Sequence, residues 1–357
     1  MPIDANLSRT IVLTRFPLIA LVVMLHSGAA FAACEGGDIA HFFSGVITRI
    51  AVPLFFCISG YLFFFNYTLD TYPTKILRRI RTLLIPYLFW NIYYIASFLI
   101  LQYFSLGNPD RKPIIEWGLQ DFLYSFWDMR HVQGYELASS GVPFHSHLWF
   151  LRDLIVMTFL SPFFYYILKY LKGYAVFFSM FMWVLLPFDL LYFMKNESIL
   201  FFIIGGYLQL YGINILSYQK LYVPSLLITA GCLILMVFVN EYMWILMKIY
   251  ILAGCFVLFV SLSLIKKAQL MRCLSSLSNS TFFVYGCHGL FVAIISKILI
   301  DRIDDNVCSI TFSFFISWTF SIIISLLLFF IVKRYFPWLL LVATGKLLKS
   351  NQVSTSN

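Results

Sequence analysis

Ile11-Val-Leu-Thr-Arg15-Phe-Pro-Leu-Ile-Ala-Leu-Val-Val-Met-Leu-His26-Ser-Gly-Ala-Ala-Phe31 is apolar over the length of a bilayer crossing, yet it holds an arginine and a histidine. A helix needs about 20 apolar residues to cross the hydrocarbon core. An ionisable side chain inside such a helix is costly and marks a functional position. The spacing from Arg15 to His26 is three helical turns plus roughly 20°, which sets both on one stripe about 16 Å apart. Arg9 ahead of the run and the small residues behind it imitate a cleavable leader. Arg15 within the run and the further spans downstream argue instead for a retained first helix.

Working outward, nine more apolar stretches begin near Gly45, Leu83, Leu148, Tyr174, Ile199, Leu221, Tyr242, Thr281 and Ile310. The 357 residues are 61% hydrophobic and 11% charged, with a mean hydropathy of +0.87. Those values exclude a soluble surface, a disordered chain and a disulfide framework. The predicted fold class is all-α: a polytopic membrane protein of about ten transmembrane helices in one domain, 1–349, with a polar tail at 350–357. Arg9, Lys75 to Arg81, Lys169, Lys172, Lys220, Lys266 to Arg272 and Lys333 to Lys349 share one side. That side holds roughly twice the basic residues of the other, which places both termini in the cytoplasm.

The longest segment outside the spans, about 104–147, reads as a structured outer loop from its mixed charge and its Gly and Pro content. A net charge of +9 is modest for this length, so nucleic acid is not expected as a partner and membrane lipid is. The cysteines show no metal-ligand spacing; Cys34 and Cys308 are the pair that the topology places outside together.

Arg49 opens the second span, Arg49-Ile-Ala-Val-Pro53-Leu-Phe-Phe-Cys-Ile-Ser59-Gly60-Tyr61, at a depth similar to His26. Ser59-Gly60 permits close helix approach or a local break, and Ser59 itself is either a small packing residue or one with a chemical role. Lys75, Arg78, Arg79 and Arg81 precede Ile85-Pro86-Tyr87 at the inner face. Such a cluster clamps phosphates, binds anionic headgroups or simply signals topology. His145-Ser-His147-Leu-Trp149-Phe-Leu-Arg152-Asp153 opens the fourth span. Arg152 and Asp153 point in different directions on a helix and are expected to pair with other groups. Two histidines without carboxylate or thiolate company are a weak metal site, and no metal is expected. His288, within Tyr285-Gly-Cys-His288-Gly, is an imidazole of the ninth span, more often packed and hydrogen-bonded than catalytic. No Walker loop, dinucleotide glycine fingerprint or G-x-S-x-G elbow is present.

Together these motifs resemble the membrane-bound acyltransferase 3 family of ten-helix O-acyltransferases. They are the Arg-x10-His of Arg15 and His26; Arg49 to Tyr61; the basic stretch ending at Tyr87; Leu148 to Leu154; and Thr281, Tyr285, His288 and Leu290. The chain departs from the family pattern at Val12, where an acid is often found, at Phe16, and in its Trp-Phe-Leu-Arg-Asp form of the fourth span, so no carboxylate role is carried over there.

The resemblance implies transfer of an acyl group, usually acetyl, from cytoplasmic acetyl-CoA to a hydroxyl of an extracytoplasmic glycan. Acetyl-CoA is then a donor substrate and no bound cofactor is expected. It also implies an essential Arg15 and His26, and a bacterial cytoplasmic (inner) membrane. On this reading His26 is the general base and Arg49 or Arg152 steadies the oxyanion. Arg15, Lys75, Arg78, Arg79 and Arg81 dock the CoA phosphates, while Ser59, Trp149, Arg152, Asp153 and His288 support the acceptor side. Trp117, Tyr124, Trp127 and Tyr135 of the outer loop are expected to stack on sugar faces. The competing expectation is an exporter of polysaccharide or lipid-linked sugar that does no covalent chemistry.

Overall fold

The computed structural model describes residues 3–104, 111–135, 141–186, 189, 194–238, 243–302 and 306–346; the polar tail at 350–357 lies outside them. The fold is all-α. Its helices are α1 (Ala5–Phe31), α2 (Asp38–Phe64), α3 (Tyr72–Tyr103), α4 (Ser146–Phe159), α5 (Ser161–Leu171), α6 (Gly173–Leu185) and α7 (Asn196–Leu210). They continue with α8 (Ile215–Phe238), α9 (Met243–Ser263), α10 (Ala268–Leu277), α11 (Thr281–Ile300), α12 (Val307–Tyr335) and α13 (Pro337–Thr344).

Among the described residues seven helices, α1, α2, α3, α8, α9, α11 and α12, are long and apolar enough to cross a membrane. The pair α4 and α5 makes an eighth crossing if it counts as one span, bent by 67°. Pro162 explains the break: it has no N–H to offer the helical ladder and its ring crowds the preceding turn. The two remaining apolar stretches form α6 and α7, of 13 and 15 residues. At 1.5 Å per residue these are about 20 and 22 Å long, short of the ~30 Å core.

Helix α7 is an internal helix. Leu200, Phe201, Phe202 and Ile203 are buried, and the backbone of α7 lies against that of α2. A Cβ on Gly205 would sit 1.9 Å from the Cys57 carbonyl oxygen, and one on Gly60 2.2 Å from that of Phe202. Two glycines therefore permit the close approach anticipated at Ser59-Gly60.

The chain of α2 changes winding next to Arg49. A π turn at Phe42–Val46 runs into a 3-10 turn at Ile47–Ile50, just ahead of Pro53. Backbone carbonyls freed by such a turn need partners inside a membrane. Helix α9 supplies them: the Tyr250 hydroxyl donates to Ile47 O at 2.8 Å, and the Cys255 thiol to Ile50 O at 3.4 Å.

Helix α1 is the central element, packed against α2, α9, α11 and α12. That enclosure turns the stripe of Arg15 and His26 toward protein. The outer faces of α8 and α12 expose Leu227, Ile234, Phe238, Phe312, Phe320 and Leu327, as a lipid-facing surface does.

The described part of the outer loop has its own core of Ile114, Met129, Val132 and Phe144 against Tyr94 and Ile95 of α3. Trp117 and Tyr135 pack edge-on against Phe144, at 5.1 and 5.9 Å between ring centroids, and Tyr124 stacks on His131 at 4.7 Å. These three aromatics hold the loop together. Trp127 remains 41% exposed. Cys34 and Cys308 are free thiols.

Candidate functional site

Two cavities meet at His26. The first, about 1360 Å³ of unfilled space with its mouth included, begins among Arg15, Arg79 and Lys346 and ends at His26, His147 and Trp149. Its middle is mainly apolar, walled by Ile19, Val22, Val52, Phe55, Ile58 and Leu154 with Ser59, Thr281 and Tyr285 among them. The second, about 1150 Å³ reckoned the same way, is lined by Arg49, Trp183, Asp189, Lys195, Glu197 and Lys248. Val22, His26, Val52 and Trp149 belong to both walls.

The basic end is built from three separate pieces of chain. Arg15 comes from α1 and Arg79 from the first turns of α3, its guanidinium 5.4 Å from the centre of the Phe63 ring. Lys346 arrives by a turn. Gly345 caps α13 in the left-handed region, at φ +66°, with its N–H on Leu341 O at 2.7 Å. A side chain there is strained, and its Cβ would lie 2.4 Å from Arg81 O. Burial first, and then the cations Arg15, Arg79 and Arg78, hold the Lys346 ammonium below the usual lysine range. Among the described residues no carboxylate lines this cavity, so the cluster suits an anion.

The predicted phosphate clamp is thus divided. Arg79 lines the cavity, whereas Arg78 and Arg81 are exposed and stand outside its wall. Lys75 is occupied elsewhere: its ammonium donates to Phe63 O at 3.1 Å and Phe65 O at 2.7 Å, closing the C-terminus of α2.

At the junction the imidazoles of α1, α4 and α11 converge. The ring centroids of His26 and His147 are 3.9 Å apart, those of His26 and His288 5.4 Å, and those of His147 and His288 5.0 Å. The Tyr285 hydroxyl donates to the His147 carbonyl at 2.6 Å and so fixes the start of α4. His145 lies behind, its ring 4.3 Å from that of Tyr94.

Of the remaining expected residues, Ser59 and Trp149 line the first cavity, and Arg49 and Trp149 the second. The Lys195 ammonium lies 4.1 Å over the Trp149 ring. Arg152 and Asp153, 4% and 1% exposed, belong to neither wall. Against expectation they pair with each other, at 2.9 Å. The guanidinium reaches its neighbour's carboxylate through Nε and Nη2, and it also donates to the carbonyls of Trp127 and Gly141 in the outer loop. Asp153 accepts from Ser198 Oγ at 3.4 Å, tying α4 to α7.

Sequence reasoning gave no part to Lys195, Glu197, Lys248 or Lys346. Lys248, a lysine inside a span, and Lys195-Asn-Glu197, charges at the mouth of a short apolar stretch, were signals for the first three. Neither the curated proteins nor the solved structures give a match to the chain. The family model described as an acyltransferase domain matches residues 11–334. That match takes in Arg15, His26, Arg49, Arg79, His147 and His288 but not Lys346, and by it the chain belongs to the acyltransferase 3 family of membrane acyltransferases.

Proposed function

We propose that the protein is an O-acyltransferase that moves an acyl group, acetyl in the first instance, from cytoplasmic acyl-CoA to a hydroxyl of an extracytoplasmic glycan. The observation that carries this reading is the meeting at His26 of a cavity with a basic mouth and a second cavity from the opposite end. The CoA phosphates dock on Arg15, Arg79 and Lys346, and the pantetheine arm follows the apolar middle of the first cavity. The thioester reaches His26, where the acceptor hydroxyl arrives through the second cavity and loses its proton. Arg49 stands on that wall to steady the oxyanion. Arg152 and Asp153 act by holding the outer loop over the site. With α6 and α7 counted beside the eight crossings, the chain has ten membrane segments with both termini cytoplasmic, in a bacterial inner membrane.

The test is the acetyl-ester content of surface and exported polysaccharide, read by NMR in cells with the wild-type protein, without it, and with His26→Ala at matched membrane abundance. Esters present with wild type, and reduced about 100-fold or more in the variant, support acyl transfer through His26. Unchanged esters per sugar with reduced glycan export replace this reading by an exporter.

A further inference from the structure

The three imidazoles at the junction have a property that acyl transfer alone does not require. His288 Nδ1 lies 2.8 Å from Tyr285 O and 3.1 Å from Val284 O. Carbonyl oxygens only accept, so Nδ1 carries the proton and Nε2 presents its lone pair. That Nε2 is buried and has no hydrogen-bond partner among the described residues, and the same holds for His147 Nδ1. One nitrogen from each of His26, His147 and His288 lies within 4.8 Å of the others. A Cβ on Gly289 would meet His147 Nδ1 at 2.7 Å and His145 Nε2 at 3.1 Å, so the glycine keeps open the space in which the rings converge.

We propose that His26, His147 and His288 bind a divalent transition metal of the zinc class. Three neutral imidazoles with a fourth position left open is a recurring catalytic zinc arrangement, with metal–nitrogen distances of about 2.0–2.1 Å. Tetrahedral ligand atoms at that distance are ~3.4 Å apart, so nitrogens up to 4.8 Å apart need to approach by at most about 1.4 Å, with the rings reoriented around the ion. Anchoring of one ring nitrogen on a backbone carbonyl, as in His288, is the usual outer support of a metal-bound histidine. Among the described residues the cluster holds no thiolate or carboxylate, so no ligand charge offsets that of the ion. His26 lines both cavities and His147 the first, so the cluster stands where the two cavities meet.

The role of the ion rests on the acyl-transfer reading, whereas its presence does not. Bound to the ion, the acceptor hydroxyl is acidified and its proton leaves to water in the outer cavity. The oxygen then bonds to the acyl carbon, the carbon–sulfur bond breaks, and CoA departs as thiolate. His26 serves as a ligand in this sequence, in place of the general-base role expected from the sequence.

The experiment is metal analysis of the full-length protein, purified in detergent with a histidine-free affinity tag. The expected result is about one zinc per chain, falling at least fivefold in His147→Ala and in His288→Ala and unchanged in His131→Ala. Gly289→Ala, which crowds His147 without deleting a ligand, is expected to lower the content too. Should a histidine variant fail to remain monodisperse, Co2+ added to metal-free wild-type protein gives the second reading. A visible ligand-field band of tetrahedral intensity supports the site. Wild-type protein that purifies without metal and gives no such band overturns it, and so does a metal content indifferent to His147→Ala and His288→Ala. If the metal is present while glycan esters do not depend on the protein, the site stands and the acyl-transfer reading falls.

Discussion

Substitution of Arg79 by alanine should weaken acyl-CoA binding, whereas the same change at Arg78 or Arg81 should not. All three sit in one basic run, yet only Arg79 lines the cavity that leads to His26. A hydrogen bond to a charged group contributes about 1.5–3 kcal/mol. The half-exposed position of Arg79 puts it at the lower end, since solvent screens part of the interaction. About 1.5 kcal/mol is roughly a tenfold rise in donor KM. Lys346→Met should cost a similar factor, and the double variant somewhat less than the product, because both cations serve one phosphate group. Arg78→Ala and Arg81→Ala, whose charges face solvent, should stay within about twofold.

Lys346 adds a pH signature. Burial and the neighbouring cations lower its pKa, and the charged form is the one that binds phosphate. The wild-type donor KM should therefore begin to rise on the alkaline side before an ordinary lysine would titrate, and Lys346→Met should remove that limb. The assay is transfer of labelled acyl groups from acyl-CoA presented to inverted membrane vesicles, with KM measured from neutral to alkaline pH. Equal losses at Arg78, Arg79 and Arg81 would refute the argument, since they would make the run a diffuse attractor rather than a site with one arginine in it.

Two further outcomes test the scaffold. Gly205→Ala sets a Cβ against a backbone carbonyl that no rotamer change can move, at a cost of about 1–3 kcal/mol, while Gly231→Ala, with nothing within 4 Å, should be neutral. Thermal unfolding in detergent reads both. Arg152→Ala leaves the buried Asp153 carboxylate without its cation, a loss of about 3–5 kcal/mol, and should also open the outer loop to limited proteolysis.

The parts of this site legible in sequence are those set by one helix. Arg15 and His26 are linked by helical periodicity, and both line one cavity. Gly60 was readable as a packing position because a small residue in a span has few other uses. The convergence of His147 and His288 on His26 was not legible, because their spacing along the chain carries no trace of three helices meeting. Lys75 and Arg79 could not be separated either: on one face of α3 and one turn apart, the first meets free carbonyls at the end of α2 and the second reaches the cavity. Lys346 owes its place to a left-handed residue after a short helix, and the pattern of apolar residues does not report such a turn.

The first cavity also bears on which competing activity the fold can support. Between its basic mouth and His26 its wall is mainly apolar, with Ile19, Val22, Val52, Phe55, Ile58 and Leu154 and the few hydroxyls of Ser59, Thr281 and Tyr285. A sugar passing through would leave several hydroxyls facing groups that cannot hydrogen-bond, and each unsatisfied hydroxyl costs about 1–3 kcal/mol. A thin acyl-bearing arm loses far less, because most of what it buries there is apolar. The second cavity has the opposite character, with Arg49, Asp189, Lys195, Glu197 and Lys248 on its wall. Polyol and thioester are thus each matched to one side of His26 and mismatched to the other. A chain built to carry glycan across the membrane would need polar lining on both sides; one built to bring an acyl arm to a hydroxyl needs it on one.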